Sequence, residues 1–153
     1  MNNKGFTLIE FLIYIAISGI VVGTLTLTIV NVLEHKIRLT VIEEINRSSR
    51  FMTENISYVV RNASSANVSG DQLSLSYELS SHDPTLVYVD DENMMLQRGE
   101  ESAVQLNGSY TKVKDFIISV EDQSFVTIAV TLDYTGERYS SERDFRIVEN
   151  LRK

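Results

Sequence analysis

Residues 11–33 contain no charged side chain, and nothing else in the chain limits its folding so strongly. As an α-helix rising about 1.5 Å per residue, this run is about 34 Å long. That is enough to cross the ~30 Å hydrocarbon core of a bilayer. One carboxylate, Glu10, stands at its head. A carboxylate at mid-bilayer costs about 2.5–3.5 kcal/mol on insertion scales. Near the end of a span the penalty is smaller, and the first turn of a helix favours an anion. Glu10 therefore has two readings. It is an interfacial acid tolerated near the headgroups, or an acid kept for a partner charge.

The residues around Glu10 favour the partner charge. Lys4-Gly5-Phe6-Thr7-Leu8-Ile9-Glu10, followed at once by an apolar helix, resembles the class III signal of type IV prepilins and of the pseudopilins of type II secretion and competence systems. The resemblance covers about the first thirty residues. It implies a leader at 1–5, cut by a prepilin peptidase between Gly5 and Phe6, and N-methylation of the new amine of Phe6. It also implies that Glu10, fifth in the mature chain, serves subunit assembly by meeting the amino terminus of a neighbouring subunit. A buried charge needs such a partner. Within one chain the two groups lie at opposite ends of the first helical turn, so a neighbour's amine is the more natural one.

An ordinary secretory signal peptide fits badly, because the apolar run is too long and lacks a small-residue cleavage site at its far end. Orientation signals conflict. Lys4 favours a cytoplasmic N-terminus, while Lys36, Arg38, Arg47 and Arg50 follow the span and would be placed inside by charge alone. The resemblance decides for a single-pass protein of the cytoplasmic (inner) membrane, N-terminus inside and C-terminal domain outside. Gly19 and Gly23 are ordinary glycines of a membrane helix, or a small-xxx-small spacing that lets two helices approach closely. Thr24, Thr26 and Thr28 carry hydroxyls that can bond to backbone carbonyls. Many major pilins have a proline in this region; here residue 27 is Leu27.

From Glu34 the pattern changes. Ile37, Val41, Ile45, Met52, Ile56, Val59 and Ala63 recur at steps of three and four, with Ser48 filling one step. That is one face of a helix. Arg38, Glu43, Arg47, Arg50, Glu54 and Arg61 take the opposite surface. With no Pro or Gly between Asn31 and Ala66, the membrane helix is expected to run on to about Ser64. Residues 62–67 and Gly70 then read as a loop.

Beyond Gly70 the period becomes two. Leu73, Leu75, Tyr77 and Leu79 alternate with polar residues. A strand at 86–89 turns through Asp90-Asp91-Glu92-Asn93 into a return at 94–98. Residues 104–106 precede Asn107-Gly108, a hairpin signal. Phe116, Ile118 and Val120 form a strand that turns at Asp122-Gln123 into Val126, Ile128, Val130, Leu132 and Tyr134. Gly136 turns the chain again before a last strand at 144–148. The expected fold is α+β: a leader at 1–5, a transmembrane half-helix at 6–33, an amphipathic half at 34–65, and antiparallel β-sheet structure at 66–153 packed on the amphipathic stripe. This pattern also resembles the globular part of minor pilins and J-type minor pseudopilins.

Catalytic and metal signatures are missing from the sequence. His35 and His82, the only histidines, lack ligand spacing. The Asp90-Asp91-Glu92 acids read as a solvated turn, with a Ca²⁺ site as the alternative. There is no phosphate loop, GxSxG or HExxH. No cysteine is present among the 153 residues, so thiolate chemistry and the disulfide of many major pilins are excluded. A net charge of −7 argues against nucleic-acid contact. Residues 71–149 hold 16 acids and 6 bases, which gives either a soluble, self-repelling surface or a face for a basic neighbour. The expectation is a structural filament subunit, not an enzyme, with no cofactor. Its expected partners are the prepilin peptidase and other pilin or pseudopilin subunits. Lack of Pro in the span, lack of Cys and the multistrand pattern favour a minor subunit. The alternative is a bitopic membrane-anchored extracytoplasmic binding module outside any filament, which needs neither Glu10 nor the Gly5-Phe6 junction.

Overall fold

The computed structural model describes residues 7–78, 81–122, 124–135 and 139–152. One helix, α1, runs Leu8–Asn62. By internal contacts the chain divides into two units, Met1–Leu39 and Thr40–Lys153.

In the first unit every described helical residue is exposed. Apolar side chains point in all directions, so no stripe selects an inside. The hydroxyls of Thr24, Thr26 and Thr28 turn back to donate to the carbonyls of Val21, Val22 and Thr24, each at 2.9 Å. Each therefore carries its own acceptor, as a polar group in hydrocarbon must. A Cβ added at Gly19 or Gly23 would meet nothing within 4 Å.

In the second unit α1 has one buried face, made of Val41, Ile45, Ser48, Ser49, Met52, Ile56, Val59 and Val60. Arg47, Glu54 and Arg61 are exposed on the other side. Ile37, expected in the stripe, stays 40% exposed, because the covered face begins only at Val41. The helix ends at Asn62, whose side-chain amide donates to Tyr58 O at 2.7 Å. Arg61 in the last turn complements the negative end of the helix.

Eight strands follow: β1 (Ser65–Ser69), β2 (Gln72–Ser76), β3 (Thr85–Asp90), β4 (Asn93–Arg98), β5 (Val104–Gln105), β6 (Thr111–Glu121), β7 (Phe125–Thr135) and β8 (Ser140–Asn150). They form two antiparallel sheets, ordered β1-β2-β3-β4-β5 and β6-β7-β8. Within each sheet strands follow sequence order, so neighbours need only short connections. The buried row Leu73–Val87–Leu96 in the first sheet and the buried pair Ile128–Ile147 in the second, with Ile118 half-buried beside it, share one core with Met52, Ile56 and Val60.

Two local expectations are corrected. Residues 65–67, expected in the loop at 62–67, instead begin strand β1, paired with β2 from Ser65↔Ser76 to Ser69↔Gln72. Gly70 at φ 60 makes the turn between them. The small polar residues of β1 have weak intrinsic strand preference, and pairing with β2 supplies what they lack. Asn107-Gly108 is not a hairpin turn either, since β5 and β6 belong to different sheets. Instead Asn107 is buried, and its carboxamide oxygen accepts the N–H of Met94 at 2.9 Å. Its amide donates to Asn93 Oδ1 at 3.2 Å and to the carbonyl of Thr111. The N–H of Gly108 donates to Ser48 Oγ at 3.1 Å, fixing this loop on α1. The acidic turn does form a two-residue hairpin, with Asp91 at φ 47 and Glu92 at φ 61. Leu79, Gln123 and Gly136 lie outside the described residues.

Candidate functional site

The site anticipated from sequence is the head of α1. Gly5 and Phe6 lie outside the described residues; Glu10 lies within them, in the first turn of the helix. Thr7 stands just before that turn. Its hydroxyl oxygen accepts the N–H of Glu10 at 3.3 Å. In return the Glu10 carboxylate accepts the N–H of Thr7 at 3.0 Å and its O–H at 2.9 Å. This reciprocal pair is a capping box, which satisfies two backbone donors that a helix start leaves without partners. Thr7 is a residue that a charge-based reading of Glu10 passes over. The Thr-x-x-Glu spacing at 7–10 is the signal that finds it.

The cap changes the physical problem at Glu10 without removing it. Hydrogen bonds from Thr7 stabilise a carboxylate, but they carry no charge. Among the described residues no cation pairs with Glu10. Inside a low-dielectric layer the acid would still favour a positive partner from another molecule. Behind it, α1 is long and apolar enough to cross a membrane.

The remaining candidates do not assemble into a reactive centre. His35 is exposed on α1. His82 Nε2 lies 3.6 Å from Glu101 Oε1. Glu92 of the acidic turn pairs with Lys112 across the sheets, and its backbone carbonyl accepts the N–H of Val113 at 2.8 Å. Among the described residues no three His, Cys, Asp or Glu side chains are placed to hold a metal ion.

Arg61 and Glu149 form the most directional ion pair. Nε and Nη2 of Arg61 donate to the two carboxylate oxygens at 2.7 and 2.9 Å. The hydrogen bond from Arg61 holds the Glu149 carboxyl below its ordinary 4.5, against the opposing effect of burial. The Arg152 N–H donates to Ala63 O at 2.9 Å. Together these contacts fasten the last strand and the tail to the end of α1, which makes the pair structural.

Residues 1–26 match the family model described as the prokaryotic N-terminal methylation motif. Comparison with curated proteins and with solved structures gave no match.

Proposed function

We propose that this chain is a structural subunit, a minor pilin or pseudopilin, of a type IV pilus-like, type II secretion or competence filament. The observation that carries the reading is a coincidence at one end of the molecule. The methylation motif at residues 1–26 overlaps a helix of membrane length whose apolar side chains are exposed in every direction. The motif supports a type IV pilin-like precursor that a prepilin peptidase processes. On this reading residues 1–5 are removed, Phe6 receives the methyl group, and 6–33 hold the chain in the inner membrane, N-terminus inside. The domain beyond residue 34 stands outside until the helix joins those of other subunits. Glu10 then meets the amine of a neighbour's Phe6.

One observation favours a second reading, in which the chain is a bitopic anchor with an extracytoplasmic binding module. The capping box gives Glu10 a local role that needs no neighbour. Processing separates the two. Intact-mass analysis of membrane-extracted protein should show a chain that begins at N-methyl-Phe6. Retention of residues 1–5 in cells that contain the peptidase would contradict the filament reading.

A further inference from the structure

Where the end of α1 meets β3, β4, the residues just after β2 and the tail, the surface folds into a cleft of about 560 Å³. Its polar wall is fixed from within. The Tyr77 O–H donates to Val59 O at 3.0 Å, and the Tyr77 N–H donates to Asp83 Oδ1 at 3.2 Å. The Thr85 hydroxyl donates to His82 O at 2.8 Å. Gly99, at φ 54, follows Arg98 and lies close to the 81–82 backbone: a Cβ there would come within 2.6 Å of Ser81 O. Only glycine lets the end of β4 approach the 81–82 turn this closely, so that Arg98 and His82 share the cleft.

Two guanidinium groups, Arg98 and Arg152, line this cleft, against one lining carboxylate, Glu78. The nearby helix end contributes roughly half a negative charge. Its carbonyls already accept bonds: Tyr58 O from Asn62, Val59 O from Tyr77 and Val60 O from the Ala63 N–H. Among the described residues neither arginine forms an ion pair. Two guanidinium groups thus line one polar hollow, with the carboxylates of Asp83 and Glu101 engaged by the Tyr77 N–H and by His82, in a chain of net charge −7.

We propose that this cleft binds an acidic saccharide, with a uronate carboxylate held by Arg98 and Arg152 and sugar hydroxyls against the polar wall. Planar guanidinium forks match a carboxylate with two parallel hydrogen bonds. A peptide anchor or a lipophilic ligand would call for a mostly apolar pocket, whereas Val59 is the one aliphatic residue of this lining. Tyr58 and Tyr77 add aromatic surface to this lining, which suits the apolar faces of a sugar ring. Tyr58 is 66% exposed at the rim.

The test is titration calorimetry of the full chain in detergent micelles with trigalacturonate, against neutral trigalactose and against glutarate. Trigalacturonate should bind saturably, and both comparison ligands about tenfold more weakly or worse. Arg98→Gln and Arg152→Gln should each weaken binding about tenfold or more, the loss expected for a charged hydrogen bond. Lys112→Gln, at an exposed cation outside this lining, should change nothing. Thermal melts verify that each variant is folded, and Arg98→Lys keeps the charge if the glutamine variant is not. No binding of trigalacturonate would overturn the proposal. So would equal binding of trigalactose, or a loss reproduced by Lys112→Gln. Glutarate binding as tightly as trigalacturonate would overturn the saccharide and leave a simple carboxylate site. None of these outcomes bears on processing at Gly5-Phe6, which is read by mass.

Discussion

The helix α1 has apolar residues along its whole length, yet its two stretches use them in opposite ways. Up to Leu39, side chains such as Leu12, Leu25 and Leu27 are more than half exposed, on every side. From Thr40 onward, Val41, Ile45, Met52, Ile56 and Val59 are buried, and charged residues hold the far side. Charge and period divide them together: residues 11–33 carry no charge and no stripe, while the second stretch sets its apolar residues at a helical period among charged ones. Apolar residues without a stripe ask for a surrounding apolar medium, whether lipid or other helices. Apolar residues at a 3.6 period ask for one partner on one side, and here the sheets of the same chain provide it.

The largest expected effect tests this contrast directly. Met52 is fully buried, and Met52→Asp puts an unpaired charge there, which should lower stability by several kcal/mol. Leu25→Asp, with the same chemistry on the other stretch, should leave the thermal melt of the sheet domain unchanged while impairing membrane insertion. Equal losses in the melt from both variants would break the comparison.

A smaller effect is expected where the sequence signal misleads. Asn107→Ala leaves the buried Met94 N–H and Thr111 carbonyl without side-chain partners. The cost should be about 1–3 kcal/mol, measured by denaturant unfolding of the full chain in micelles. An unchanged midpoint would mean that Asn107 is only a turn residue.

The smallest effect is one of pH. The folded pKa of Glu149 lies below its ordinary 4.5 because Arg61 donates to it. The pair therefore adds stability that is fully present above pH 4.5 and is lost as pH falls through the lower, folded value. Solvent screens it in part, since the Arg61 side chain is 67% exposed. Glu149→Gln should melt lower than the parent at neutral pH, and the gap should close in acid. A gap that persisted or widened in acid would assign the difference to packing.

The long helix was legible from its uncharged run and the lack of Pro or Gly beyond it, and the buried positions of its stripe from Val41 to Ala63 and most strands were legible from period. At those positions burial decides conformation, and the sequence displays burial as spacing. Three features were not. Strand β1 depends on β2, a pairing that no property of residues 65–69 announces. The separation of β5 from β6 depends on the Asn107 amide replacing backbone partners at the edge of β4. The second sheet follows from that separation. At the head of α1 the acid was legible and its threonine was not, because a capping box is a short polar spacing hidden beside a strong apolar signal.

That acid is where the proposal that the uniformly exposed stretch of α1 packs against neighbouring subunits can be tested. Glu10→Gln is the decisive substitution, because glutamine can keep the capping box while the charge is lost. Glu10→Ala loses both. At equal membrane levels, the Glu10→Gln chain should be inserted and cut between Gly5 and Phe6 like the parent. It should then be recovered poorly in sheared filaments, as poorly as Glu10→Ala. Recovery of Glu10→Gln equal to the parent, with only Glu10→Ala impaired, would contradict the proposal and leave Glu10 as half of a helix cap.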